Sequence, residues 1–167
     1  MNSPAKSLPE HFPAIRTENL ARHFGRFAAL RGVTADFSAQ KLYVILGDNG
    51  AGKTTLLRSF AGLLQPTRGT VRILGRYTPA EAAREIGYMA HPSLLYDEMS
   101  GMENLRYFAA LYGIHSDARY VEVIRQVGLD PQLSRRVGQY SQGMRQRMSL
   151  ARALVHDPKI LLLDEPR

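Results

Sequence analysis

Gly47-Asp48-Asn49-Gly50-Ala51-Gly52-Lys53-Thr54 constrains this chain more than any other segment. Its glycines, lysine and threonine stand at the spacing G-x-x-x-x-G-K-[ST] of a phosphate-binding loop. The preceding Leu42-Tyr43-Val44-Ile45-Leu46 is apolar and partly β-branched, which predicts a buried parallel strand. The following Thr55-Leu56-Leu57-Arg58-Ser59-Phe60-Ala61 predicts a helix stopped by Gly62. In a strand–loop–helix unit, glycines let backbone N–H groups curl around phosphate oxygens, and the helix start adds partial positive charge. Nucleotide contacts are expected from Gly47, Asp48, Asn49, Gly50, Ala51, Gly52, Lys53, Thr54 and Thr55. Lys53 would reach the β- and γ-phosphates, and the Thr54 hydroxyl would hold Mg²⁺. These features call for an α/β fold of the phosphate-loop type.

A second constraint comes from Ile160-Leu161-Leu162-Leu163-Asp164-Glu165. Four aliphatic residues followed by two acids predict a central parallel strand with carboxylates at its C-terminal end. Ligands of open α/β sheets bind at that end. Asp164 is expected near Mg²⁺, and Glu165 is placed to polarise an attacking water as general base.

The third is Tyr140-Ser141-Gln142-Gly143-Met144-Arg145-Gln146-Arg147, continued by Met148-Ser149-Leu150-Ala151-Arg152-Ala153-Leu154. Ser141 is a good N-cap, and Met144, Met148, Ala151 and Val155 recur at helical spacing as an apolar stripe. Taken together, the three stretches resemble the nucleotide-binding domain of an ATP-binding cassette (ABC) transporter. Tyr140 to Met144 is similar to that family's LSGGQ signature, and Asp157-Pro158-Lys159 leads into the Walker B strand as it does there.

The resemblance implies a head-to-tail pair of domains with Mg-ATP at the interface. Ser141, Gln142 and Gly143 of one copy would contact the γ-phosphate held by the other copy's loop, so a second nucleotide-binding domain is an expected partner. Closure of such a pair assembles the site and excludes water. Phe24, in Leu20-Ala21-Arg22-His23-Phe24-Gly25, occupies the family's adenine-stacking place, where tyrosine is commoner. Its other reading is a strand core residue. Ile86-Gly87-Tyr88-Met89-Ala90-His91-Pro92 resembles the entry to the Q-loop, with His91 where the family has glutamine. A neutral imidazole there would do part of the glutamine's work, a protonated one would oppose the metal, and the other reading of His91 is a plain loop histidine.

Composition narrows the field. The chain has 167 residues and no cysteine, enough for one domain with a core and no means of making disulfides or thiolate metal sites. No apolar run approaches the roughly 18 residues that span a bilayer, and Met1–Pro13 reads as a flexible lead-in rather than a signal peptide. The net charge is +7, from 22 basic and 15 acidic residues spread along the chain. That suits polyphosphate ligands and a membrane surface, and nucleic acid is not expected. With the resemblance, it implies a cytoplasmic protein, peripheral on the inner face of the cell membrane, working with transmembrane permease subunits.

The expected layout is an N-terminal antiparallel β-layer from Ala14 to Phe37, turning near Gly25, then the loop unit and a strand at Gly69–Gly75. A short helix at Ala80–Arg84 and a strand at Ile86–Met89 follow. Ser100-Gly101-Met102-Glu103 is a capping box, with Leu105, Phe108, Ala109 and Tyr112 as the apolar face behind it. Asp117 begins another helix, with Val121 and Ile124 inside, ended by Gly128. By resemblance, residues 92–139 form the helical subdomain that touches the membrane subunits, and 14–167 form a partial domain.

The chain ends at Arg167, before the family's D-loop, further strand and switch histidine, so a C-terminally truncated domain with weak hydrolysis and marginal folding is expected. Ser93 to Leu105 resembles exporter ATPases of the ABC-2 class and of heme export in cytochrome c biogenesis; His91 suits the heme branch, and a drug, lipid or polysaccharide exporter is the other reading. Two other classes stay open: a non-transport ABC ATPase of DNA repair or ribosomes, and an inactive nucleotide-binding fragment. The chain shows neither the heptads nor the repeat that the former usually carries.

Overall fold

Alternating apolar residues in the N-terminal half build a three-stranded antiparallel sheet. The computed structural model describes residues 13–75, 78–90 and 93–164, and the chain divides into two units, Met1–Ala83 and Arg84–Arg167. The expectations for residues 1–12, for His91 and for Glu165 fall outside the described residues.

In the first unit, β1 (Pro13–Phe24) and β2 (Phe27–Ser38) form a hairpin turning at Gly25 and Arg26, and β3 (Arg68–Ile73) pairs with the other edge of β1. The order is β2–β1–β3, antiparallel throughout. Ile15, Leu20, Leu30, Val71 and Ile73 are buried, and α1 (Lys53–Phe60) adds Leu56 and Phe60. Phe60 meets Phe37 edge-on at 5.3 Å.

The segment Leu42–Leu46 departs from expectation. It is not among the paired strands of either sheet, and Leu42 and Leu46 are 90% and 86% exposed. Tyr43 is tied down, its hydroxyl accepting from the Ser38 N–H at 2.8 Å and its ring meeting Phe37 edge-on at 5.1 Å. No strand among the described residues pairs with this segment, and an aliphatic run becomes a strand only where a neighbour exchanges backbone hydrogen bonds with it.

In the second unit, β4 (Ile86–Met89) and β5 (Ile160–Leu163) pair in parallel, Ile86 opposite Ile160 through Met89 opposite Leu163. β5 is therefore a parallel strand as expected, but not a central one among the described residues. Leu162 is buried, while Leu161 and Leu163 are 39% and 36% exposed. The helix expected at Ala80–Arg84 shrinks to a 3₁₀ turn at Ala83–Glu85. The Glu85 carbonyl already accepts the Lys159 N–H at 2.9 Å, so the chain is committed to the β4–β5 ladder by that point.

Three helices complete this unit, α2 (Gly101–Ala110), α3 (Asp117–Gln126) and α4 (Gln142–Leu154), with α4 packed on β4 and α2 and α3 packed on α4. Ser100 and Glu103 form the full capping box at the start of α2, and Ser116 caps α3 through the Arg119 N–H. Leu105, Ala109, Tyr120, Val123, Ile124, Val137, Met148, Ala151 and Val155 form one core, with Phe108 and Met144 packed against it. Val121 is only half-buried and Val123 takes the inward place on α3. Buried Asn104 ties the core's edge to the loop before α2, its amide donating to the Tyr96 and Ser100 carbonyls at 3.0 Å each.

Candidate functional site

The loop from Gly47 to Thr54 wraps onto the start of α1. The Ala51 N–H closes a turn on the Asp48 carbonyl at 3.1 Å, and Leu56 N–H begins the helical bonds on the Gly52 carbonyl at 2.8 Å. Gly52 is the N-cap residue, left-handed at φ 91°, and a Cβ there would stand 2.5 Å from the Ala29 carbonyl oxygen of β2. Only glycine permits both the conformation and the approach. The cap has no side chain and the first turn no acid, so the first-turn N–H groups present partial positive charge to an incoming anion. The Lys53 ammonium donates to the Gly47 and Asp48 carbonyls at 2.7 and 2.8 Å, curling over the loop.

A cleft of about 330 Å³ lies beside Gly50 and Ala51, walled by Phe27, Ala29, Leu30 and Arg31. Phe24 is 47% exposed at the hairpin end with the Arg22 guanidinium 4.7 Å from its ring centre, so it is no core residue. Its neighbour in the hairpin, Phe27, is the aromatic residue that lines the cleft, a place the sequence reading did not give it. The hint was available in the segment Phe24-Gly25-Arg26-Phe27, where a two-residue turn sets the two aromatic residues opposite each other.

In the second unit, Asp164 directly follows β5 and is 3% exposed. Its N–H donates to the Met89 carbonyl at 3.0 Å, and its Oδ2 accepts from the Tyr88 hydroxyl at 2.9 Å. Among the described residues no three His, Asp or Glu side chains converge as an all-protein metal cage. A buried, oriented carboxylate at the carboxyl end of a parallel strand nevertheless fits Mg²⁺, which takes one or two protein oxygens and fills its shell with phosphates and water.

The expected signature residues start α4. The Ser141 hydroxyl accepts from the Met144 N–H at 3.3 Å, and Ser141, Gln142 and Gly143 are exposed. With no acid in its first turn, this helix start also offers N–H groups to an anion. Behind it, Arg145 is paired with Asp97, holding that carboxyl below the usual carboxylate range, and the Arg147 guanidinium donates to the Gly128 carbonyl at 3.1 Å. At the far end of α4, Arg152 donates to the Tyr88 carbonyl at 3.0 Å and lies over the Phe108 ring at 5.0 Å, and burial pushes its pKa down. Tyr88 and Arg152 were not singled out in the sequence as site residues; their value appears only once β4 and β5 pair.

Comparison with known proteins gives one answer. Residues 30–167 match the family model described as ABC transporter. The chain is 43% identical over 145 residues to the ABC transporter ATP-binding protein NatA of Bacillus subtilis, covering 83% of this chain and 59% of the relative. It is 37% identical to the bacitracin transport ATP-binding protein BcrA of Bacillus licheniformis, covering 91% and 51%. It is 32% identical to the lantibiotic transport ATP-binding protein SrtF of Streptococcus pyogenes, covering 91% and 66%. A dimeric ATP-binding cassette solved in a post-hydrolysis state with ADP and Pi superposes with a TM-score of 0.81 at 26% identity, over 91% of this chain and 74% of that one. The chain thus spans about half to two-thirds of the length of these curated relatives. Loop, capped signature helix and strand-end acid, in that order and on that fold, place the chain in the ABC transporter family as part of an ATP-binding domain.

Proposed function

We propose that the chain is the ATP-binding part of an exporter. It binds Mg-ATP at Gly47–Thr55 and hydrolyses it within a head-to-tail pair of domains, driving transport through separate membrane subunits. The observation that carries this is the presence of two open helix starts, at Gly52 and at Ser141, each lacking a first-turn acid. A single nucleotide needs one such start from its own loop. The second is accounted for by a phosphate held on a partner copy.

In this reading Lys53 turns from its own loop carbonyls to the β- and γ-phosphates, and Phe24, with Phe27 beside it, offers a ring face to the base. Thr54 and Asp164 would hold Mg²⁺, which when bound neutralises charge on the transferring phosphoryl group. Glu165 takes the proton of the attacking water, and His91 takes the sequence place of the Q-loop glutamine. Ser141, Gln142 and Gly143 close the partner's site and keep bulk water out. The place of action is the inner face of the cell membrane. In keeping with this, no helix among the described residues is long and apolar enough to cross a membrane. Cargo selection belongs to the membrane subunits. Two of the relatives above are named for bacitracin and lantibiotic transport and none for heme, so the heme branch is not carried forward.

The test is Mg-ATP hydrolysis by this chain and by the same chain continued to the length of its relatives. Activity is expected in the continued form and to fall about 10²- to 10⁴-fold in its Glu165→Gln variant, as for loss of a general base. Full activity in Glu165→Gln would remove the assignment of that residue. Activity proportional to the first power of protein concentration, with no dimer at any concentration, would remove the paired mechanism.

A further inference from the structure

Tyr88 faces Leu162 in the β4–β5 ladder. Side chains alternate along a strand, so Asp164 projects to the same side as Leu162 and lies on the diagonal from Tyr88. A phenol is long enough to span that diagonal, and the Tyr88 hydroxyl does so, donating to Asp164 Oδ2 at 2.9 Å. The backbone around Tyr88 is clamped as well. Arg152 holds its carbonyl at 3.0 Å, and Gly87 fits so closely under α4 that a Cβ would stand 2.3 Å from the Ala153 carbonyl oxygen. The base of the phenol is thereby fixed to the helix that begins at the signature, and its tip is fixed to the strand-end acid.

We infer that Tyr88 is a positioning residue for Asp164, setting the orientation in which that carboxylate meets a divalent cation. This rests on the reading of Asp164 as a metal ligand. A carboxylate turns about its terminal torsion at little cost, and a hydrogen bond from behind selects one orientation and lowers the cost of ordering it on binding. Phenylalanine would fill the same volume without doing so. The position therefore separates packing from hydrogen bonding.

The test is Tyr88→Phe, made in this chain and in the chain continued to the length of its relatives. The probe is Mn²⁺ in the presence of a non-hydrolysable ATP analogue, with free Mn²⁺ counted by electron paramagnetic resonance. The expected result is Mn²⁺ affinity weakened by about tenfold or more. Metal-free affinity for the analogue should stay at the wild-type value, and the thermal midpoint should fall by only a few degrees, roughly the loss of one hydrogen bond to a buried carboxylate. In an Asp164→Asn background the same Tyr88→Phe change should add nothing further, because the two residues act as one unit. Wild-type Mn²⁺ affinity in Tyr88→Phe overturns the inference and leaves the metal-ligand reading standing. An equal loss in the Asp164→Asn background also overturns it, since Tyr88 would then act elsewhere. Unchanged Mn²⁺ affinity in Asp164→Asn alone removes the metal-ligand reading, and the inference with it.

Discussion

Leu105 and Leu42 are the same residue in opposite circumstances. Leu105 is sealed in the core shared by α2, α3 and α4, while Leu42 in the N-terminal unit is 90% exposed. Hydrophobicity does not separate them; the origin of their partners does. Every residue of the helical core lies between Leu95 and Val155, and each helix brings its own hydrogen bonds. Leu42–Leu46 can become a strand only beside another strand, and no strand of the described residues pairs with it. Burial by helices is settled locally, whereas burial in a parallel sheet depends on distant chain.

The strongest way to break this comparison is to truncate both leucines. Leu105→Ala should cost about 2–5 kcal/mol, by lost transfer energy and a cavity, while Leu42→Ala should stay within about 0.5 kcal/mol. Urea unfolding followed through the helical signal reads both. Equal costs would mean that Leu42 is covered in solution.

A smaller effect tests whether the helical unit's order is local. The Ser100 hydroxyl accepts from the Glu103 N–H at 3.3 Å, and Glu103 Oε2 accepts from the Ser100 N–H at 2.8 Å. Ser100→Ala should cost about 1 kcal/mol of stability. Hydrogen exchange should quicken across α2 and leave β1–β3 protected as before. Loss of protection in both units would tie them into one cooperative block.

The smallest effect is a pH dependence confined to the second unit. The His156 ring stacks on Tyr112 at 4.0 Å with one nitrogen 3.0 Å from the Ile86 carbonyl oxygen. Burial pushes its pKa below the ordinary 6.5; Arg119 and Arg152 push the same way, against the Ile86 hydrogen bond and Asp157. The unfolded chain then takes up the proton first. Stability from this residue is whole above the ordinary histidine pKa and declines as pH falls through it towards the folded value. Urea midpoints at about pH 7.5 and about pH 5.5 should differ less in His156→Gln than in wild type. An unchanged difference would assign the slope to carboxylates instead.

Much of this was legible in the sequence because its signals are local. The hairpin turn at Gly25, the capping box at Ser100, the cap at Ser141 and the helix after Lys53 each depend on residues within a few positions of one another. The strand assignment for Leu42–Leu46 failed for the opposite reason, since periodicity reports a side chain's preference and not the presence of a neighbouring backbone. Tyr88 and Arg152 were hidden likewise: Tyr88 and Asp164 are 76 residues apart, and only the register of β4 on β5 brings them together. Val121 and Val123 show the limit within a helix, where two valines compete for one inward place and the packing of α3 decides.

The Lys53 ammonium bound to the Gly47 and Asp48 carbonyls has a kinetic consequence. The loop is already wound around a cation of its own, so its shape is set during folding and not at the moment of encounter. If the loop binds nucleotide as proposed, an arriving triphosphate would exchange one set of oxygens for another around a charge that is already in place. Little chain entropy is then lost on capture, and the association rate should be governed by diffusion and long-range attraction rather than by a slow rearrangement of the loop.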